Sequence, residues 1–306
     1  MKDLTKGKPS VLVFTFAVPI FLGNLLQLTY SLADTRIVGS FLGGNALAAV
    51  GATSTLSGLI IGFLLGLSNG FAIITAQKFG AGDIEQMRKS FAQSLVLGTG
   101  ISVFFTVLGL AFLRQILQFL NIPEKLLPMA SYIIIIIAGL LATFLYDACA
   151  AALRAIGDTV TPLIILAVSV ALNIAGDLFF VVVLHSGVRG AAIATVLAQG
   201  LAFVICWFYM MHKYEILRLS KEDFCHVNPA MRKEMLSAGL SMGFMSSLIN
   251  IGSLTLQTAI NQLGKEIIIA HTAARKLSEM FMIMFSVFGQ TMATYCGQNM
   301  GAGKMD

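Results

Sequence analysis

The sequence predicts an all-α polytopic membrane protein with eight spanning helices: a six-helix lobe, then the first two helices of a second lobe that repeats it. Three observations support this fold class. Only 11% of the 306 residues are charged and the mean hydropathy is +0.85, whereas an average soluble domain has roughly 25% charged residues. Eight apolar stretches are long enough to cross a bilayer. One polar loop occurs twice, at corresponding places in two parts of the chain.

The eight apolar stretches each reach the roughly 20 residues that a spanning helix needs. They cover residues 10–38, 46–75, 91–113, 128–150, 162–184, 190–211, 235–262 and 266–296. The connectors are short except for the charged stretch 212–234, HKYEILRLSKEDFCHVNPAMRKE. The predicted organisation is therefore a first lobe over 1–211, a linker over 212–234 and a partial second lobe over 235–306.

The basic residues predict how the chain is oriented in a cell (inner or plasma) membrane, because lysine and arginine accumulate on the cytoplasmic side. The apolar run after Met1–Lys8 is longer than the 7–15 residues of a signal-peptide core, so it is interpreted as the first spanning helix. A cytoplasmic N-terminus places 13 of the 20 basic residues inside: Lys2, Lys6, Lys8, Lys78, Arg88, Lys89, Arg154, Lys213, Arg218, Lys221, Arg232, Lys233 and Lys304.

The repeated loop indicates an internal duplication. AQKFGAGD occupies 76–83 and GQNMGAGK occupies 297–304, so a shift of 221 residues superposes Gln77 on Gln298. The same shift aligns Leu56-Ser57 with Leu277-Ser278 and preserves the helix boundaries. Because this offset contains an even number of crossings, the two copies point the same way, as in transporters built from parallel repeats.

The glycines of the repeated loop do not form a nucleotide site. A P-loop needs a first glycine and a hydroxyl residue after the lysine, but Gln298 and Met305 occupy those places in the second copy. We therefore predict a tight turn with φ > 0 where two helices approach closely.

Composition and motifs also exclude other functions. The net charge of +5 comes from residues in short loops, not from one basic face, so no nucleic-acid partner is expected. The cysteines have no metal-ligand spacing, which favours plain packing. No H-E-x-x-H or G-x-S-x-G motif is present, so we expect no enzyme, no catalytic residue, no cofactor and no metal beyond a bound Na⁺.

Four polar residues in the apolar segments form the candidate site. Asp34 in helix one and Asp177 in helix five lie roughly 8–12 Å inside the outer boundary, at a rise of 1.5 Å per residue. Thr195 in helix six lies at the same depth, and Asn173 is one turn before Asp177. Such an oxygen-rich cluster suits a proton or Na⁺, although Asn173 and Thr195 alone are more typical of helix-to-helix hydrogen bonds.

Other polar or special residues support weaker interpretations. Asp147 is predicted to pair with Arg154, and Arg36 is the one basic residue near the depth of the two aspartates. Pro19 is predicted to bend helix one and to act as a hinge.

A stripe of helix eight could face either a central cavity or helices that the chain lacks. It comprises His271, Arg275 and Lys276.

Several motifs together resemble the multidrug and toxic compound extrusion (MATE) family, in its bacterial DinF- and NorM-like form. They are FAVPIFLGNLLQLTYSLADTRIVG in helix one, AQKFGAGD after helix two, LRAIGDTVTP between helices four and five, and LNIAGDLFFVVVLHSGVRGAAIATVLAQG across helices five and six. The resemblance covers the whole chain.

The resemblance implies a MATE-like fold of two six-helix lobes around a central cavity. It implies multidrug or organic-cation efflux by antiport with H⁺ or Na⁺, with small lipophilic or cationic substrates and membrane lipid as partners. It assigns cation coupling to Asp34, Asn173, Asp177 and Thr195, and matches Pro19 to a proline whose bending is linked to that site.

Two departures from the family pattern matter. Helix seven carries no carboxylate after Glu234 and offers only amides, Asn250, Gln257 and Asn261, so coupling is expected in the first lobe. Four helices of the second lobe are absent, so a truncated form is expected. The alternatives left open are a lipid-linked glycan flippase of related fold and a non-functional partial transporter.

Overall fold

The computed structural model describes residues 3–113, 115, 131–225, 228–261 and 265–304. Helices account for nearly all of these residues. In chain order they are α1 (Pro9–Gly80), α2 (Ile84–Ala111), α3 (Ser131–Ala138), α4 (Leu140–Ala155), α5 (Val160–Asp177), α6 (Gly187–Lys213), α7 (Pro229–Asn261) and α8 (Lys265–Gly301).

Six helical segments within the described ranges are long and apolar enough to cross a membrane. They are Pro9–Gly44, Leu56–Gly80, Ile84–Ala111, Val160–Val183, Gly187–Lys213 and Pro229–Ser253. The bent pair α3 and α4 makes a seventh if it is counted as one span. Over the described residues this criterion does not include α8, the eighth predicted span. The membrane-protein fold class is confirmed.

The first two predicted spans form one helix that breaks at a single residue. Gly43 is the only residue of α1 with non-helical dihedral angles, φ 82° and ψ 178°. We call Pro9–Gly44 the first arm and Leu56–Gly80 the second arm. Asp34 lies nine residues before the break, about 14 Å along the helix axis. The backbone dihedral angles stay helical through Pro19, and the predicted hinge there stays a prediction.

A second break occurs between α3 and α4, which meet at an angle of 47°. Gly139 lies at the junction, and a Cβ there would overlap the side chain of Val196 on α6. The glycine therefore lets this span press against α6. The start of the predicted fourth span, residues 128–130, lies outside the described residues.

The two parts of the chain pack through symmetric helix pairs. The first arm meets α8 in an apolar cluster that includes Phe16, Ile20 and Val287. The second arm meets α7 at small residues: a Cβ on Gly66 would lie 2.5 Å from the carbonyl oxygen of Met242. Gly70 approaches the backbone of Ala238 equally closely, whereas a Cβ on Gly239 would meet the ring of Phe71. Small residues allow such contacts between backbones, which is how helices associate in lipid.

Helices extend into the predicted linker from both of its ends. Helix α6 runs to Lys213 and α7 already begins at Pro229, so residues 229–234 belong to a helix. Between them lie two short 3₁₀ turns, Glu215–Leu217 and Lys221–Phe224. Buried Asp223 forms a capping box with Ser220, and its carboxylate lies 3.7 Å from Nε of Arg88 on α2. The linker is thereby held against the first lobe.

Candidate functional site

The four residues of the candidate site come together from three helices. Asp34 is on the first arm, Asn173 and Asp177 are at the end of α5, and Thr195 is on α6. Asp177 has no exposed surface, Asn173 is 3% exposed and Asp34 is 9% exposed. The charges of Asp34 and Asp177 are near enough to act on each other. The site is therefore a buried polar cluster with two carboxylates.

Hydrogen bonds link the α5 and α6 members of this cluster. The Thr195 hydroxyl donates to the carbonyl oxygen of Ala191, 3.0 Å away. With the Asn173 amide turned to satisfy both of its ends, Nδ2 donates to Oδ2 of Asp177 at 3.1 Å and Oδ1 accepts from the Thr195 backbone N–H at 2.9 Å. The amide orientation follows from the hydrogen bonds around it. Asn173 thus joins the carboxylate of Asp177 to α6.

Tyr30 connects the first arm to the cluster, one helical turn before Asp34. Its hydroxyl lies 3.1 Å from Oγ1 of Thr195, and either hydroxyl can donate in this hydrogen bond. Tyr30 was missed in the sequence analysis. A polar residue four positions before Asp34 was the available signal, because residues i and i+4 share a helix face.

Each aspartate keeps one oxygen without a partner. Among the described residues, neither Oδ1 of Asp34 nor Oδ1 of Asp177 accepts a hydrogen bond, although both atoms are buried. Arg36, the one basic residue that the sequence places near this depth, is exposed and forms no ion pair within the described part of the chain. A buried carboxylate without compensation is costly in a membrane, so these oxygens are suited to a proton or a small cation.

The backbone changes just beyond Asp177. Helix α5 ends at Asp177 and continues as a six-residue π-helical segment, Leu178–Val183. Such segments are rare and often mark functional sites. The apolar sequence LFFVVV gives no sign of this change, so sequence analysis predicted an ordinary helix. The π turns rotate the residues after Asp177 relative to an α-helix.

A cavity of about 410 Å³ lies beside the cluster and extends along α4. Asp34, Tyr30 and Thr195 line it, whereas Asn173 and Asp177 lie behind them. Its volume falls within the range of small-molecule sites. Pro19, the predicted hinge, also lines the cavity. Tyr132 also lines the cavity, and the sequence analysis missed it. It lies within electrostatic range of both Asp34 and Asp177.

Asp147 and Arg154 also line the cavity, but not as the predicted pair. No nitrogen of Arg154 lies within the 4.0 Å of a salt bridge to Asp147 in the described structure. Instead, Nη2 of Arg154 donates to Oδ1 of Asn69 on the second arm, at 3.3 Å. The prediction was wrong because the two residues are two turns apart on α4, a rise of about 10 Å.

The two copies of the repeated loop meet at one end of the bundle, which we call the Gly-Ala-Gly end. Gly82 and Gly303 occupy the same place in each copy and have φ of 74° and 70°. A Cβ on Gly80 would overlap the carbonyl oxygen of Gln298, and a Cβ on Gly301 would overlap that of Gln77. The prediction of positive φ and close helix approach is confirmed for both copies.

Gln298 closes this end by binding two other segments. Its Oε1 accepts from the backbone N–H of Leu4 at 2.9 Å, and its Nε2 donates to the carbonyl oxygen of Ala155 at 2.7 Å. Asn299 and Lys304 donate to the carbonyl oxygens of Leu4 and Thr5. The N-terminal segment, the end of α4 and the end of α8 are therefore joined immediately beside Arg154.

The polar residues of the partial second lobe do not add to the cluster. Asn250 donates to the carbonyl oxygen of Ser246 within α7. Nε2 of His271 is buried without a partner among the described residues. The side chains of Gln257, Asn261, Arg275 and Lys276 lie outside the described part of the structure.

A bundle of membrane-spanning helices with an internal parallel repeat, and a cavity bounded by carboxylates, defines a membrane transporter. Comparison with known families gives the same class. The MatE family model matches residues 19–179, and the chain belongs to this family.

Relatives and solved structures agree with this assignment. The chain is 31% identical to the probable multidrug resistance protein YpnP of Bacillus subtilis, over 98% of this chain and 67% of that protein. It is 28% identical to YoeA of the same organism, a probable multidrug resistance protein, with the same coverage. A MOP superfamily transporter from Pyrococcus furiosus has the same fold, with a TM-score of 0.91 at 23% identity, over 99% of this chain and 67% of that one. The chain spans about two thirds of the length of these relatives.

Proposed function

We propose that this protein exports organic cations and other small lipophilic compounds in exchange for H⁺ or Na⁺, with Asp34, Asn173, Asp177 and Thr195 as the coupling site. One observation carries the proposal: two buried carboxylates share a cluster beside the cavity, and each has an oxygen without a partner in the described structure. Protonation or Na⁺ binding would remove the cost of burying them.

The coupling follows from the position of the cluster between three helices. A cation at Asp34 and Asp177 would draw the first arm towards α5 and α6, through the same contacts that Tyr30 and Asn173 make. A ligand shifts an equilibrium only by its differential affinity for the two states. We propose that cation binding favours the state that releases the exported compound outside, with the N-terminus and the Gly-Ala-Gly end in the cytoplasm.

The relatives support the substrate class. YpnP and YoeA are named as probable multidrug resistance proteins, and this chain matches them along almost its whole length. The cavity favours cations over a lipid-linked glycan, whose phosphates would need several basic residues. Its described lining contains two carboxylates and one arginine.

Efflux of a fluorescent cationic dye from proteoliposomes tests the proposal, under an imposed proton or sodium gradient. Because the chain spans about two thirds of its relatives, it is assayed alone and joined to the last third of YpnP. We expect gradient-driven export by the joined form and its loss in Asp34→Asn. Equal export by wild type and Asp34→Asn would contradict the coupling role of this cluster.

A further inference from the structure

The cavity is lined by one positively charged residue, Arg154, which the binding of a cation does not require. Its charged lining residues, within the described structure, are Asp34, Asp147 and Arg154. Two carboxylates attract a cationic compound, whereas a guanidinium repels it. A charged side chain that is partly removed from water is costly unless a partner compensates it. Arg154 therefore needs an explanation that a simple cation pocket does not give.

The guanidinium of Arg154 is held in place but remains available. Its Nη2 donates to Asn69, and its other N–H groups have no hydrogen-bond partner among the described residues. A guanidinium has five N–H donors, so most of them are free for a ligand. Arg154 is half-buried, and Gln298 binds the next residue of α4, Ala155, which fixes the helix end that carries it.

Asp147 and Arg154 carry opposite charges on the same helix. Seven positions along a helix correspond to about 10 Å of rise and a rotation of about 20°, so both side chains lie on one face of α4. Both line the cavity, and neither forms an ion pair in the described residues. No nitrogen of Arg154 lies within 4.0 Å of an Asp147 oxygen, and a rise of about 10 Å along α4 can be bridged by one drug-sized molecule.

We propose that Arg154 and Asp147 form a dipolar subsite, at the Gly-Ala-Gly end of the cavity, for zwitterionic compounds that carry an anionic group as well as a cationic one. The carboxylate of such a compound would accept two parallel hydrogen bonds from the guanidinium group of Arg154. Its cationic group would lie against the carboxylate of Asp147. This inference rests on the proposed function, because it takes the cavity to be where the exported compound binds.

A matched pair of dyes isolates the anionic group. Tetramethylrhodamine free acid is zwitterionic, and its methyl ester has the same ring system and only the positive charge. Binding of each dye to the purified 306-residue chain in detergent is followed by fluorescence anisotropy. We expect Arg154→Gln to weaken binding of the acid about tenfold or more and to change binding of the ester less than twofold. Asp147→Asn should weaken both.

Three further variants serve as controls. Arg189→Gln removes an exposed arginine at the start of α6, outside the cavity, and should change neither dye. Arg154→Lys keeps the charge and should retain part of the preference for the acid. Asn69→Ala removes the protein partner of Arg154 and should leave the ratio of acid to ester affinity unchanged or higher, even if Arg154→Gln does not fold.

The outcomes separate this inference from the proposed function. Equal loss of both dyes in Arg154→Gln, or a lowered acid-to-ester ratio in Asn69→Ala, would show that Arg154 only holds the second arm, and would overturn the dipolar subsite alone. Absence of saturable binding of either dye to the wild-type chain would overturn the cavity as the binding site, and the subsite with it.

Discussion

Gly80 lies directly against the carbonyl oxygen of Gln298, so that no Cβ could be added there without moving a backbone. The same contact exists between Gly301 and Gln77. Because Gln77 and Gly80 correspond to Gln298 and Gly301 in the repeat, the duplicated loop makes one contact twice around the internal symmetry axis. The repetition of the loop in the sequence is thereby explained: each copy packs against the other.

Gly80→Ala and Gly301→Ala should each destabilise the protein by about 1–3 kcal/mol, the usual cost of overpacking, or more because backbone must move. The measurement is thermal unfolding in detergent. Gly100→Ala is the matched control, because Gly100 is also helical and a Cβ there would meet nothing within 4 Å. A similar loss in all three variants would contradict the close contact.

Gln298→Ala should cost about 2–4 kcal/mol, because it leaves the N–H of Leu4 and the carbonyl oxygen of Ala155 without their buried partner. Its repeat equivalent gives an internal control. Gln77 is half-buried and its amide makes only a weak contact with the sulfur of Met300, so Gln77→Ala should cost far less.

Hydrogen exchange of the Leu4 amide supplies the second measurement for Gln298. We expect faster exchange in Gln298→Ala than in Gln77→Ala. Unchanged exchange would show that Gln298 does not hold the N-terminal segment.

Asp158, in the turn between α4 and α5, should make stability depend on acid pH. Burial alone would raise its pKa, but hydrogen bonds from Thr161 and Tyr214 outweigh burial, and the pKa lies below its usual value. A lowered folded pKa means that the stabilisation is complete above the unfolded value of about 3.9 and is lost as the pH falls through the folded value.

Unfolding measured from pH 6 down to pH 3 tests this dependence. Asp158→Asn keeps a side chain that can cap α5 and should flatten the acid limb of the profile. Tyr214→Phe removes one hydrogen bond to the carboxylate and should give an intermediate profile. An acid limb that is identical in wild type and Asp158→Asn would contradict the role of this carboxylate.

Asp34→Asn should raise the unfolding temperature in sodium-free neutral buffer, because it removes a buried charge with an unpartnered oxygen. A ligand that binds the folded state stabilises it in proportion to the logarithm of its concentration. Wild type should therefore gain stability with added Na⁺ or with protons, and Asp34→Asn should not. Asp83→Asn, at the exposed cap of α2, is the control.

The sequence determined the membrane class, the order of the helices, the duplication, and the glycines of the repeated loop. These properties depend on local composition and spacing: a spanning segment must be apolar, and a turn with φ > 0 favours glycine. It also singled out Asp34, Asn173, Asp177 and Thr195, because polar side chains within apolar segments are conspicuous. Their role in cation coupling stays a prediction.

Only the tertiary structure decided which side chains meet. Nothing in the sequence places Gln298 against Ala155, or Arg154 against Asn69, because these contacts depend on how helices pack side by side. The break at Gly43, the π turns after Asp177 and the position of Asp177 behind the cavity also depend on neighbouring helices. Hydropathy fixes which segments enter the membrane, whereas lateral packing, which has no local sequence period, fixes the site.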